Sequence, residues 1–226
     1  MDLYKEKQAM RNSIYRRLGS IGPDVMSREG AFVGQTVPAL PMWQNARTIL
    51  AFLSMSNEID TFAIIGRALL EAKLLGVPKM YGDHIRFHLV ESADGPWEIH
   101  PYGIREPTPD FPLIDFSNPA VYPLLVITPG LAFDLEGRRL GHGRGYYDRI
   151  FSEISKSCPG SSDRGDAEQA SLASLSVATS QMACSVAVCL DIQIVDRVPT
   201  SSTDFPVDII VSGRGVEYYS DEIGGM

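Results

Sequence analysis

The stretch Thr48–Tyr81, T-I-L-A-F-L-S-M-S-N-E-I-D-T-F-A-I-I-G-R-A-L-L-E-A-K-L-L-G-V-P-K-M-Y, changes its period twice. Residues 48–55 form a nearly unbroken apolar run, the pattern of a strand buried on both faces. S-N-E-I-D-T follows, where Asp60 or Thr61 can cap a helix. From 61 to 75 the apolar residues at 62, 65, 69, 72 and 75 keep helical spacing, and Gly76 and Pro78 supply a stop. G-V-P-K-M-Y then reads as a second strand. A strand, a helix and a strand imply a right-handed crossover and a parallel sheet.

Working outward, residues 2–18 are expected to be helical. Leu3, Met10, Ile14 and Leu18 recur near the 3.6-residue period, with Lys5, Lys7, Arg11, Arg16 and Arg17 on other faces. Segment 19–47 carries Gly, Pro and Ser with weak periodicity, and its helix content stays open. I-R-F-H-L-V (85–90) and P-W-E-I-H (96–100) read as an edge hairpin about Asp94-Gly95. After the Pro-rich loop 106–112, the runs 122–130, 185–190 and 207–212 read as buried strands. Tyr146, Tyr147, Ile150, Phe151 and Ile154 share one side of a further helix. Residues 155–181, rich in Ser, Ala, Gly and Asp, read as a solvated, mobile insertion without chemistry, part of it helical near 166–176. One α/β domain over 1–226 is expected.

With 226 residues, 44% hydrophobic and 21% charged, the composition is that of an ordinary globular protein. A formal net charge of −8 argues against general nucleic-acid affinity, so any anion must be met by local basic residues. The apolar runs are too short to span a bilayer, and M-D-L-Y-K-E-K-Q-A-M-R lacks the apolar core of a signal peptide. Cys158, Cys184 and Cys189 show neither metal spacing nor a disulfide framework. A cytoplasmic protein with reduced thiols is expected, needing no nucleic acid, membrane or obligatory protein partner.

Arg138–Arg149, R-R-L-G-H-G-R-G-Y-Y-D-R, lies between the strand at 122–128 and the helix at 146–154. In parallel sheets ligands sit beyond the carboxyl ends of strands, and a helix N-terminus offers free N–H groups to phosphate. Gly141, Gly143 and Gly145 allow close approach and positive φ. Arg139 and Arg144 suit phosphate oxygens, and Asp148 suits a helix cap or a magnesium ion. The spacing is neither a Walker A nor a dinucleotide fingerprint. On these grounds a phosphate cradle and a tight structural turn both remain open.

The longer segment P-G-L-A-F-D-x-x-G-x-R-L-G-H-G-R-G-Y-Y-D (129–148) resembles the signature of 5-formyltetrahydrofolate cyclo-ligases. Three more segments fit that family in the same order. These are the helix carrying Lys7 and Arg11, F-L-S-M-S-N-E-I-D-T (52–61), and V-P-T-S-S-T-D-F-P-V-D (198–208). The resemblance implies a three-layer α/β/α sandwich around a mainly parallel sheet with a short antiparallel edge. It also implies a magnesium- and ATP-dependent closure of 5-formyltetrahydrofolate to 5,10-methenyltetrahydrofolate, with ATP and the folate as partners.

The implied residues follow the same segments. ATP would be met by Lys7, Gln8, Ala9, Met10 and Arg11, and by Arg139, Leu140, Gly141, His142, Gly143, Arg144, Gly145, Tyr146 and Tyr147. Arg144 and Tyr146 would be catalytic, Arg144 steadying the γ-phosphate. His142 stands where the family varies and receives no catalytic role. The folate would meet Leu53, Met55, Glu58 and Tyr147. Asp148 and Asp204 would be linked to magnesium, with Asp208 a supporting carboxylate or a strand-entry cap. Lys79, Arg86 and Tyr102 are candidates for the glutamate tail. Residues alone leave two other readings: a sugar-phosphate isomerase-like enzyme, or a non-catalytic nucleotide- or folate-binding homologue.

Overall fold

The computed structural model describes residues 2–101, 103–159 and 182–219. Helices α1 (Leu3–Leu18) and α2 (Pro23–Thr36) precede a 3-10 turn at Val37–Ala39 and the short α3 (Pro41–Asn45). Asp2 caps α1, its carboxylate accepting the Tyr4 N–H at 3.1 Å. Segment 19–47 is therefore largely helical. Its periodicity is weak because α2 approaches its neighbour through glycine: a Cβ on Gly34 would lie 2.8 Å from that of Ala63.

Strand β1 (Thr48–Leu50), helix α4 (Phe62–Leu70) and strand β2 (Leu74–Tyr81) form the expected crossover, with β1 and β2 parallel and Ile49 opposite Leu75. Thr61 stands at the helix start, but the capping oxygen belongs to Asp60, which accepts the Phe62 N–H at 2.9 Å. The helix stops at Leu70 rather than 75. Ala72 takes φ +53° and Lys73 N–H reaches back to the Ala68 carbonyl at 3.0 Å, closing the helix with a left-handed residue. That position costs alanine about 1 kcal/mol, whereas burying a leucine such as Leu75 in the sheet returns about 1.5–3 kcal/mol. The strand wins. Gly76 is thus a strand residue, where a Cβ would fall 2.5 Å from Ile114 Cδ1 and 2.6 Å from Leu50 Cδ2.

Strand β3 (His84–Leu89) pairs antiparallel with β2 through a turn at Gly82, and β4 (Trp97–Ile99) pairs with β5 (Arg105–Pro107). The expected hairpin between 85–90 and 96–100 is therefore two hairpins with different partners; local turn signals could not say which runs pair. Strands β6 (Leu124–Thr128), β7 (Ala132–Phe133) and β8 (Arg139–Leu140) lead into α5 (Tyr146–Ser157). Strands β9 (Ala183–Val188), β10 (Ile209–Ser212) and β11 (Gly215–Tyr218) follow. Helix α5 covers the first residues of segment 155–181 and Cys158 behind it is buried, so the fold claims them. The rest of that segment, from 160 to 181, lies outside the described residues.

The seven-stranded sheet runs β11-β10-β9-β6-β1-β2-β3, parallel from β10 to β2 with an antiparallel strand at each edge. Side chains alternate between its faces. Ile49, Leu125, Ile127 and Val186 share a core with Ile14 of α1, Val33 of α2 and Ile64 of α4. Leu50, Leu124 and Val126 pack on the other face against Ile150, Phe151 and Ile154 of α5. Helices on both faces make the sandwich. From β1 the chain first moves out to β2 and β3, then returns to β6 on the other side, so the order reverses between β1 and β6. A crevice opens there, beyond the carboxyl ends of the strands.

Candidate active site

Two loops leave the sheet at that reversal: 51–61 after β1 and 129–145 after β6. The second begins with a clamp. Asp134, fully buried, pairs with Arg138 at 2.6 Å and accepts the Glu136, Arg138 and Val198 N–H groups at 3.0, 3.1 and 2.6 Å. Gly137, at φ +73°, turns the β7–β8 hairpin and offers its carbonyl to the Val207 N–H at 2.8 Å. Both ends of loop 198–207 are thereby tied to the hairpin. That loop carries Asp204 to the same cleft.

The cleft has a volume of about 1020 Å³. One wall is the glycine loop and the start of α5. Gly145 takes φ +65° and supplies no capping side chain, which leaves the first N–H groups of α5 for a ligand. Gly143 takes φ +101°, with Arg11 packed against it. Arg11 donates from Nε to the Gly141 carbonyl at 3.0 Å, and Lys7, one turn earlier, donates to Asp204. Arg139, only 5% exposed at its side chain, pairs with Asp148 at 2.7 Å and lies 5.9 Å from the centre of the Tyr147 ring. Arg149 donates to the carbonyls of Arg144, at 2.7 Å, and Asp83, while Tyr146 O–H donates to the Gly82 carbonyl at 3.0 Å. The β2–β3 turn thus braces the loop and the helix start.

The opposite wall is apolar: Phe52, Leu53, Met55, Pro78, Met80, Ile85 and Ile104. Glu58 faces into it, its side chain 16% exposed, accepting the Met55 N–H at 2.9 Å. Among the described residues the Tyr147 hydroxyl is buried without a partner. Burial pushes its pKa up, the Glu58 charge pushes it further, and Arg139 opposes only in part, so it stays a donor. A buried orphan donor beside a carboxylate is a ready point of attachment for a ligand.

The sequence-derived residues divide accordingly. Lys7, Arg11, Leu53, Met55, Glu58, Arg139 to Asp148, and Asp204 all line the cleft. Gln8, Ala9 and Met10 do not: a helix turns about 100° per residue, so the inward face passes from Lys7 to Arg11, four residues on, while the positions between turn away. Met10 packs on the core, and Gln8 and Ala9 are exposed. Lys79 is no tail-binding surface residue. It is buried, pairs with Glu98 at 2.6 Å and Glu106 at 3.7 Å, and fastens the β4–β5 hairpin to β2. Arg86 lies outside the cleft lining, and Tyr102 lies outside the described residues. Asp208 binds the Ser185 N–H and hydroxyl at 2.7 and 2.6 Å, stapling β10 to β9. Tyr15, absent from the sequence-derived set, lines the cleft; it lies four residues beyond Arg11 on the face shared with Lys7, a signal that was present.

A sequence model of the 5-formyltetrahydrofolate cyclo-ligase family matches residues 4–164. The chain belongs to that family. A Caenorhabditis elegans protein named probable 5-formyltetrahydrofolate cyclo-ligase is 28% identical over 217 residues, spanning 93% of this chain and 95% of its own length. A Saccharomyces cerevisiae protein named 5-formyltetrahydrofolate cyclo-ligase is 25% identical over 228 residues, 92% of this chain and 96% of the relative. The solved structure of Aquifex aeolicus 5,10-methenyltetrahydrofolate synthetase superposes with a TM-score of 0.71 at 25% identity, covering 95% of this chain and 93% of that one. A Mycoplasma pneumoniae 5,10-methenyltetrahydrofolate synthetase shares the fold, with a TM-score of 0.62 at 18% identity over 94% of this chain and 99% of that one.

In this cyclo-ligase cleft the carboxylates suit a hard cation held jointly with a ligand. Asp148 uses Oδ1 for Arg139 and the Phe205 N–H, and Asp204 uses Oδ2 for Lys7, the Ser201 N–H and the Ser201 hydroxyl. Among the described residues the second oxygen of each is left for a further partner. Among the described residues no three His, Cys, Asp or Glu side chains gather closely enough to hold a metal alone. Magnesium, which is typically held by one or two carboxylates and substrate phosphates, fits that donor set. Among the described residues no helix is long and apolar enough to cross a membrane.

Proposed function

We propose that this protein cyclises 5-formyltetrahydrofolate to 5,10-methenyltetrahydrofolate, consuming ATP and releasing ADP and phosphate, and that the whole chain acts as one domain around the cleft. The observation that carries this reading is a single cleft with two unlike walls. One wall presents Lys7, Arg11, Arg139, Arg144 and a helix N-terminus; the other is apolar around Glu58, with Glu106 at its edge engaged by the Met80 N–H and Lys79. Nucleotide phosphates suit the first wall, and a flat heterocycle with N–H groups on one edge suits the second.

The chemistry needs both. A formamide oxygen is a hopeless leaving group as hydroxide. Transfer of the γ-phosphoryl group from ATP to that oxygen makes it a phosphate ester and releases ADP. The folate nitrogen at position 10 then attacks the activated carbon, the carbon–oxygen bond breaks, and phosphate departs as the ring closes. The protein aligns two substrates and steadies charge on the moving phosphoryl. Arg144 supports that charge from the loop rim, and Tyr146 walls the reacting centre. Lys7 and Arg11 hold phosphate oxygens from α1, and the Tyr147 hydroxyl and Glu58 orient the pterin. Magnesium, when bound with the free oxygens of Asp148 and Asp204, would neutralise phosphate charge. The reduced cysteines, all buried, suit a cytoplasmic location, although an Arabidopsis thaliana relative is named mitochondrial.

The test mixes the protein with magnesium, ATP and 5-formyltetrahydrofolate and follows the near-ultraviolet band of the methenyl product. The band should grow only when ATP is present. Turnover of a sugar phosphate without ATP, or binding of nucleotide and folate with no product, would replace this reading with an isomerase or a non-catalytic binder.

A further inference from the structure

One side chain of the glycine loop reaches both other elements of the cleft. The His142 Nδ1 lies 2.9 Å from the Tyr15 hydroxyl of α1, and its Nε2 lies 3.6 Å from Glu58 Oε1 on the loop after β1. The family resemblance placed His142 among the ATP contacts of the loop and gave it no catalytic role. The contacts assign it more.

The tautomer follows from the surroundings. With a carboxylate opposite Nε2, the neutral ring is lower in energy with its hydrogen on Nε2. Nδ1 then carries the lone pair and accepts from the Tyr15 O–H. Burial raises the Tyr15 pKa, Arg11 lowers it in part and Glu58 raises it again, so the phenol keeps the proton it must donate. Glu58 Oε2 is already fixed by the Met55 N–H at 2.9 Å. Among the described residues the histidine is the group that approaches Oε1, at a distance beyond hydrogen-bond length; such contacts commonly tighten only in a substrate complex. With that contact closed, one donor on each oxygen would stop rotation of the carboxylate and leave a lone pair on each for the ligand.

We propose that His142, oriented by Tyr15, is a positioning residue that presents its Nε2–H to Glu58 and so sets this site's affinity for the pterin. The proposal rests on the reading of Glu58 as the pterin's acceptor. It makes selectivity for the folate depend on a residue of the nucleotide loop, and it separates His142 from the phosphate contacts made by its neighbours.

The experiment titrates 5-formyltetrahydrofolate and ATP separately into native protein and into the variants His142→Phe, His142→Gln, Tyr15→Phe and Glu58→Gln, each verified as folded by its melting curve. A hydrogen bond to a charged group is worth about a tenfold change in binding. His142→Phe should therefore weaken folate binding about tenfold while ATP binding stays within about twofold. The amide of His142→Gln can reach where Nε2 stood, and should restore folate binding to within about threefold of native. Tyr15→Phe frees the tautomer and should fall between. Equal losses for both ligands, no loss, or failure of the glutamine to restore binding would each overturn the proposal. If native protein binds no 5-formyltetrahydrofolate, the functional reading and this proposal fall together. If it does, and Glu58→Gln weakens the folate while His142→Phe does not, only this proposal falls.

Discussion

Replacing Gly143 by alanine tests whether the glycine loop is a ligand cradle or only a turn. The residue holds φ +101°, where an L-residue's Cβ crowds its own backbone. Keeping alanine there costs about 1–3 kcal/mol. The new methyl would also stand 3.3 Å from Arg11 Cζ and 3.4 Å from Nη2, tighter than ordinary contact. Those atoms end a flexible side chain, so Arg11 shifts and the loop does not collapse. Shifting strains the 3.0 Å bond from Arg11 Nε to the Gly141 carbonyl, and carries the guanidinium away from the position assigned to phosphate. Losing one charge-assisted bond in a half-exposed place is worth about 1.4 kcal/mol, or about tenfold.

Two separable effects follow. The melting temperature should drop by about 2–12 °C, the usual consequence of about 1–3 kcal/mol in a chain of this size. The KM for ATP, read from methenyl formation at saturating folate, should rise about tenfold, while the dissociation constant for 5-formyltetrahydrofolate stays within about twofold of native. Gly215→Ala is the matched control. It carries φ +137° with no atom within 4 Å of an added Cβ, and it sits at the β10–β11 turn outside the cleft lining. It should cost stability and leave ATP alone. An unchanged KM for ATP in folded Gly143→Ala, or the same rise in Gly215→Ala, would refute the cradle.

Three shorter predictions accompany it. Glu58→Gln should weaken folate binding with ATP binding nearly intact; a selective ATP defect would move Glu58 out of the pterin wall. Arg144→Ala should lower kcat far more than folate affinity, because its charge matters most while the phosphoryl moves, and equal losses in both would contradict that role. Burial opposes ionisation of Asp204, but hydrogen bonds from Lys7 and Ser201 outweigh it and hold the pKa below the usual carboxylate value. A depressed folded pKa means stability that is present above the unfolded value, about 4, and lost as pH falls through the folded one. Native protein should therefore lose its margin over Lys7→Met on acidification below about pH 4; a margin in melting temperature that stays constant from neutral to acid pH would remove the Lys7–Asp204 pair from the acid response.

The parallel sheet was legible because buried strands and crossover helices repeat local patterns. Leu3–Leu18 and Phe62–Leu70 announced themselves through period alone. The misreadings share a cause, which is that the deciding partner is distant in the chain. Leu74 and Leu75 continue the helical spacing of α4, and only the presence of β1 beside them turns them into strand. Trp97–Ile99 looked like the partner of 85–90, but β2 had taken that place. Lys79 read as surface because nothing near it reveals Glu98 and Glu106. The charged residues on α1 were half legible: Lys7 and Arg11 were placed, but Gln8, Ala9 and Met10 were carried along as a block that helix geometry breaks up. Tyr15 continued the series and was passed over because it is aromatic rather than basic.

The four motif segments, scattered from residue 7 to residue 208, need no coincidence to meet. In a sheet of this order, β1 and β6 are the adjacent parallel strands from which the chain moves off in opposite directions, and the loops that follow them carry 52–61 and 129–148. The loop at 198–208 is hung on the β7–β8 hairpin through Asp134 and Gly137, and so arrives wherever the second motif goes. Helix α1, packed on the sheet through Ile14 and Leu18, then lies with Lys7, Arg11 and Tyr15 over the opening. The long motif therefore has two duties. Its first half, A-F-D-L-E-G-R, is a bracket for another loop, and its second, R-L-G-H-G-R-G-Y-Y-D, is the surface that meets the ligand. A substitution at Asp134, which touches nothing in the cleft, should accordingly disturb it by releasing Val198 and the loop that holds Asp204 in place.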